Sequence, residues 1–167
     1  MKTYTEFLSD EQISVLRMLI GHSIYELHSW SLTVLDEHME TPVVSIPFNR
    51  QWMNIYSHWL ETPLDLNYHK LVVELSEQAL YPERPSSRIR IDKGRRPRIE
   101  SIEVFSVEDI WGEECIKYDT HIKFNLSGDY SFCISVIDNA AELLNVSTNK
   151  EYINTLTQGH TLRLVLF

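Results

Sequence analysis

The feature that most constrains this chain is an unbroken alternation between positions 116 and 126. Ile116, Tyr118, Thr120, Ile122, Phe124 and Leu126 take one set of positions; Lys117, Asp119, His121, Lys123 and Asn125 take the other. Successive side chains on a strand project to opposite faces, so the pattern predicts a strand with one dry and one wet face. Ser127-Gly128-Asp129 supplies a turn, and Tyr130, Phe132, Ile134 and Val136 alternate after it. The two segments therefore read as a β-hairpin.

Further segments extend the sheet. Ile24 to Leu35 reads as one strand, followed by an acidic turn over Asp36-Glu37-His38-Met39-Glu40-Thr41-Pro42. Val43 to Pro47, Leu64 to Leu75 and Ser101 to Val107 read as extended. The closing run Thr161 to Phe167 is apolar at alternate positions, which predicts a strand docked in the sheet.

Helix signals are fewer. Ser9 with Gln12 three residues on forms a capping box, Leu8 and Ile13 are placed for a hydrophobic staple, and Gly21 is placed to end the helix. Asp138 heads a short helix through Ala141 and Leu144, and Thr148 or Asn149 caps another that Gly159 closes. Trp52, Ile55, Tyr56 and Trp59 fit helical spacing over residues 49–62, although the same aromatic types also suit a strand. The expected fold class is α+β, a mainly antiparallel sheet with an N-terminal helix and short C-terminal helices packed on it. Residues 1–167 are expected to form a single domain, with a basic loop or β-ribbon at 81–98.

Composition narrows the function classes. Hydrophobic residues make up 43% of 167 and charged residues 23%, enough apolar surface to offset the entropy of ordering a core. Fifteen basic residues face 24 acidic ones, a net charge of −9 that opposes binding to phosphate backbones or to an anionic membrane surface. No apolar run approaches the ~18 residues of a bilayer span, and polar residues follow Met1-Lys2-Thr3-Tyr4, so the expected location is cytoplasmic. Cys115 and Cys133 belong to no C-x-x-C pair and read as reduced thiols used as small apolar side chains.

The positive charge is concentrated. Arg84, Arg88, Arg90, Lys93, Arg95, Arg96 and Arg98 share one stretch with Asp92 as the only acid. No aromatic residue lies among them, so the stacking platforms of single-strand binders are missing and nucleic acid is not the expected partner. Ile89 and Ile91 fall on one side of this stretch, with Asp92-Lys93-Gly94 as a tip.

Signatures of catalysis are sparse. The histidines at positions 22, 28, 38, 58, 69, 121 and 160 form no H-E-x-x-H pair. The five glycines are isolated, so no phosphate-cradling loop exists, and no G-x-S-x-G elbow is present. No cofactor and no metal is expected. Asp119 and His121 share the predicted wet face and are spaced to orient one another as an acid–base pair. A small enzyme or ligand-binding domain, with a pocket against the sheet around Asp119 and His121, is therefore the alternative reading.

Carboxylates carry the favoured one. Glu100, Glu103, Glu108, Asp109, Glu113 and Glu114 crowd the segment after the basic stretch. They either pair with Arg95, Arg96 and Arg98 or face a basic partner. In size, in acidity and in its closing order the chain resembles the small acidic immunity proteins with which bacteria neutralise toxic nuclease domains. That order is a wet-faced hairpin (Asp119-Thr120-His121-Ile122-Lys123-Phe124 with Tyr130-Ser131-Phe132), a short helix and a terminal strand (Thr161-Leu162-Arg163-Leu164-Val165-Leu166). The resemblance implies a non-catalytic protein that blocks a basic toxin domain by direct binding. Asp36, Glu37, Glu40, Glu108, Asp109, Glu113 and Glu114 lie in predicted loops and are the expected contacts.

Overall fold

The computed structural model describes residues 1–80, 86–91, 95–137 and 141–167. It corrects the expected fold class. Strands account for 58% of the chain and helix for 10%, so the molecule is mostly sheet and not a balanced α+β fold. The described helices, α1 (Asp10–Arg17) and α2 (Lys150–Thr157), are two short elements among strands.

The larger sheet centres on two long strands, β9 (Ile99–Trp111) and β10 (Glu114–Leu126), joined as a hairpin. The closing strand β13 (Thr161–Leu166) pairs with β9 on one side. On the other, β10 pairs with β11 (Tyr130–Val136), followed by β12 (Leu144–Ser147), β4 (Met39–Thr41) and β3 (Thr33–Val34). The opening strand β1 (Lys2–Glu6) runs parallel to the first half of β10. The smaller sheet has the order β7 (Asn67–Ser76), β6 (Gln51–Glu61), β5 (Val43–Phe48), β2 (Glu26–Ser29) and β8 (Ser87–Arg90). Leu27, Val44, Met53, Ile55 and Val73 of the smaller sheet join Ile102, Val104, Ile122, Phe124, Phe132 and Ile134 of the larger in one buried cluster. Two sheets burying their apolar faces against each other give a layered β architecture.

The hairpin predicted after position 116 is present. Gly128 and Asp129 both adopt left-handed backbone, with φ of 81° and 62°, and let the chain reverse between Leu126 and Tyr130. Across it, Phe124 opposes Phe132 with ring centroids 4.3 Å apart, a buried cross-strand aromatic pair. The capping box of α1 also forms: Gln12 N donates to Ser9 Oγ at 3.2 Å and Ser9 N donates to Gln12 Oε1 at 3.0 Å. Asn149 caps α2 through Glu151 N and Tyr152 N, and both cysteines are free and buried.

Other segments differ from expectation. Residues 49–62 are no helix but β6, hydrogen-bonded to β5 on one side and β7 on the other. Asn49 and Arg50 both have positive φ, 47° and 63°, and form a two-residue turn between Phe48 and Gln51. Met53 and Ile55, on one face of β6, join the main core, and Asn54 between them is buried on the other face. The strand expected over Ile24 to Leu35 breaks at Ser31, whose φ is 55°, and its halves join different sheets as β2 and β3. The helix expected from Asp138 partly falls outside the described residues, and Leu144 opens strand β12 instead. In the basic stretch, Ile89 and Ile91 are buried as β8 pairs with β2, while the expected tip at 92–94 lies outside the described residues. Among the described residues no helix is long and apolar enough to cross a membrane.

The wet face expected on β10 is dry at its middle. The register shifts between Asp119 and His121, leaving Thr120 as an extra residue in a bulge. Asp119 is 1% exposed. Its Oδ1 accepts from Arg163 Nε at 2.7 Å, and its Oδ2 accepts from Arg163 Nη2 at 2.6 Å and from Leu8 N at 2.8 Å. This fork-to-carboxylate pair joins β10 to β13 and to the entry of α1. Removing the guanidinium would leave a buried charge with only one backbone donor. Arg163→Met is expected to lower unfolding free energy by about 3 kcal/mol, read from urea denaturation at neutral pH. A loss near zero would show that the pair does not hold these elements together.

Candidate functional site

The β9–β10 hairpin ends in a two-residue turn, Gly112-Glu113, between the paired residues Trp111 and Glu114. Gly112 has φ of 59°, a conformation in which a Cβ is strained. The alternation of β9 runs to the turn, so its last two residues face opposite sides of the hairpin, and both are exposed. Ile110 is 58% exposed and Trp111 69%. Leu64, in the turn between β6 and β7, is also exposed. A groove of about 570 Å³ runs beside the tip, lined by Lys2, Tyr4, Pro63, Leu64, Glu113 and Glu114 among others. Large apolar side chains displayed together on a protein surface mark contact sites, whereas single ones carry no such meaning.

The tip is held in place by Glu114, which is itself buried. Its carboxylate accepts from Tyr4 Oη at 2.9 Å, from Thr62 Oγ1, and from Leu64 N at 3.3 Å. Lys2 N donates to Glu113 O at 2.7 Å. Burial pushes the Glu114 carboxyl up, but the hydrogen bonds from Thr62, Tyr4 and Leu64 outweigh it and hold the group below the usual carboxylate range. One carboxylate thereby fastens the hairpin to β1 and to the β6–β7 turn.

The other expected contact residues divide. Glu108 pairs with Lys117 Nζ at 3.1 Å and accepts from Cys115 Sγ at 3.3 Å; the hydrogen bond from Lys117, then that from Cys115, lowers its pKa. Asp109 accepts from Tyr118 Oη at 2.8 Å. Glu113 stands exposed at the turn. Glu108 thus shares one face of β9 with Ile110, Asp109 shares the other with Trp111, and Glu113 lies in the turn beyond them. Asp36, Glu37 and Glu40 do not join them. They sit on the β3–β4 hairpin, where His38 stacks on Tyr152 at 5.0 Å and contacts Glu40 at 3.5 Å. The ladder Met39–Val146–Ile134–Ile122 places that hairpin eight residues along β10 from Glu114, about 27 Å. The carboxylates thus form two groups near opposite ends of the larger sheet. None of them forms an ion pair with Arg95, Arg96 or Arg98 among the described residues.

Asp119 and His121 also stay apart in their bonding. Both oxygens of Asp119 are taken by Arg163 and Leu8. His121 is buried, with Nδ1 2.7 Å from Thr120 Oγ1 and its ring 4.3 Å from that of His160. Burial, reinforced by the charge of His160, lowers its pKa to about 3. Neither residue lines the groove beside the hairpin tip. Among the described residues no cluster of three or more histidine, cysteine or acidic side chains is arranged to hold a metal ion.

At this tip the acidic pattern points to Glu108, Asp109 and Glu113, and Trp111 stands apart from the other tryptophans, whereas nothing in the charge pattern points to Ile110 or Leu64. The available signal was two large apolar residues directly before a glycine turn, Ile110-Trp111-Gly112-Glu113, at a place where turns are usually polar. Comparison with protein-family models, with curated proteins and with solved structures finds no match for this chain.

The buried histidine gives a pH test. In the unfolded chain it takes a proton near 6.5, whereas in the folded chain it stays neutral down to about 3. Its contribution to stability is therefore complete above 6.5 and is lost as pH falls toward 3, by about 1.4 kcal/mol per pH unit. His121→Asn is expected to flatten this slope by one proton, measured as unfolding free energy in urea between pH 7 and pH 4. An unchanged slope would mean that another group governs acid sensitivity.

Proposed function

We propose that this chain is a non-catalytic binding protein that docks a cation-rich protein through the tip of the β9–β10 hairpin. The observation that carries the reading is the exposure of Trp111, with Asp109 on its own face of β9 and Glu113 in the adjoining turn, on a hairpin end fixed by Glu114. Tryptophan is among the residues that contribute most to interface affinity when a partner desolvates it. Carboxylates around such an anchor accelerate encounter with a positive surface and penalise negative ones. The net charge of −9 adds a long-range field of the same sign. A basic nuclease toxin domain, the partner implied by the sequence resemblance, is the specific form of this proposal. Neutralisation then consists of covering the toxin's phosphate-binding lysines and arginines. The second carboxylate group, around Asp36 and Glu37, lies too far away to share one small interface.

Glu114 is excluded from the contact set because its oxygens are already committed within the fold. The useful variants are Trp111→Ser and Glu113→Lys, both at exposed positions. The full chain carrying either change is expected to keep its circular dichroism spectrum and melting temperature. Used as bait beside the unaltered chain, Trp111→Ser should lose the captured basic protein, with affinity reduced by about 30-fold or more. Glu113→Lys should chiefly slow association, and raised salt should erase that difference. If both variants retain the same partner at the same affinity, the hairpin tip is not the docking surface.

A further inference from the structure

The hairpin tip has a free edge as well as two faces. β13 pairs with β9 only from Ile102 to Ser106, whereas β9 runs on to Trp111. Over Glu108–Trp111, a length of about 13 Å, β10 lies on one side and, among the described residues, no strand lies on the other. The described residues that flank the undescribed stretches are elsewhere. Ile91 N bonds to Tyr25 O and Ile24 N to Pro97 O, next to Ile99 at the opposite end of β9, about 40 Å from Trp111. Leu80 N bonds to Asn54, about 23 Å along β6 from Glu61. Ile137 bonds to Leu143 at the end of β11, on the far side of β10 from β9.

The register fixes which backbone groups are free. A two-residue turn makes Trp111 and Glu114 a hydrogen-bonded pair, so Asp109 and Val107 also bond to β10. The bond from Lys2 N to Glu113 O, on the other side of β10, agrees with that phase. Glu108 and Ile110 therefore point their N–H and C=O groups away from β10, along the side that β13 covers further down the strand. Side chains of Glu108 and Ile110 take one face, those of Asp109 and Trp111 the other. A strand laid against this edge meets all four side chains, which a partner seated on one face does not.

Free edges are commonly blunted by lysine, proline or a bulge, and β13 itself carries a register shift at Arg163. Glu108–Trp111 has no lysine, proline or register shift, and its charges are acidic. Glu108 is matched by Lys117, whereas Asp109 accepts from the Tyr118 hydroxyl and has no ion pair among the described residues. Pairing with a second copy would bring two acidic edges together, each from a chain of net charge −9. A basic strand meets no such repulsion, and its cations find Asp109 beside the indole of Trp111. We propose that docking at this tip is strand addition. An extended, lysine- or arginine-bearing segment of the partner bonds to the backbone of Glu108 and Ile110, with its basic side chains on the face of Asp109 and Trp111. The inference rests on the docking reading above and gives its mode.

The probe is acetyl-Arg-Val-Arg-Val-Arg-Val-amide, titrated into the full ¹⁵N-labelled chain. In the free chain the Glu108 and Ile110 amides should exchange with solvent faster than those of Val107 and Asp109, and saturating peptide should slow them about tenfold or more. Ile110→Pro removes an outward N–H without removing a bond to β10, and should weaken the peptide about tenfold. Ile110→Thr keeps that N–H and should cost less than about threefold. Two further peptides, N-methylated at every valine or at every arginine, do not depend on how the proline variant folds. Their charge is equal, and only one of them should bind, because only one alternate set of N–H groups faces β9. Unchanged exchange at Glu108 and Ile110, or equal affinity of the two methylated peptides, overturns the proposal. So does a dimer in sedimentation that Ile110→Pro dissociates, since the occupant is then a second copy. If Trp111→Ser loses the captured protein while the peptide tests fail, the docking surface stands and strand addition falls.

Discussion

The fold depends on a charge that has been taken out of water. Asp119 sits at the bulge of β10, where its two oxygens receive three donors from Arg163 and Leu8. A carboxylate buried to 1% exposure is tolerable only when its lone pairs are matched, and here the matching groups come from both ends of the chain. Leu8 lies just before α1 and Arg163 lies at the register shift of β13. Each irregularity has a function in the other's geometry, since the bulge turns the carboxylate toward the guanidinium. Arg163 also lies over the Phe7 ring at 4.5 Å, so the same side chain covers the apolar entry to the helix.

The same chemistry recurs at the end of β10, where Glu114 ties the hairpin tip to β1 and the β6–β7 turn. The acidic residues of this protein therefore do two unlike jobs. Asp119 and Glu114 are interior fasteners, and Asp109 is engaged by Tyr118. Glu113, Asp36 and Glu37 remain at the surface. A net charge counts all of them alike, so it overstates the carboxylate available to a partner. What decides availability is whether nearby donors already occupy the oxygens.

Legibility in the sequence followed the range of the interaction concerned. The capping box of α1 and the hairpin across Gly128 rest on neighbours within a few positions, and both could be read directly. The aromatic run from Trp52 to Trp59 could not. Its spacing satisfies a helical template by coincidence, and the strand is decided by two partners, β5 and β7, together with a turn at Asn49-Arg50. Pairing of β1 alongside β10 joins residues more than a hundred positions apart and leaves no local pattern. The alternation over 116–126 concealed a bulge, because a single extra residue does not disturb the order of residue types. In the structure it divides that apolar row. Ile116 and Tyr118 pack with Tyr68 in a small separate cluster, while Ile122, Phe124 and Leu126 enter the main core. For the candidate site, charge points to Glu108, Asp109 and Glu113 but not to Ile110 or Trp111, since exposed apolar side chains at a turn resemble core residues until burial is known.

Under the proposed docking, the property of the hairpin tip that matters most is its rigidity. Displaying a tryptophan on a mobile loop would require its ordering on contact, at a cost in conformational entropy that subtracts from affinity. Here the ordering is already complete. The two strands pair with each other up to the turn, β1 pairs with the far side of β10, and the buried oxygens of Glu114 restrain the turn from below. A partner approaching Trp111 then spends little interaction energy on arranging this side of the interface. Under that proposal the buried carboxylate, although it would touch no partner, contributes by fixing where the indole and the exposed carboxylate of Glu113 stand.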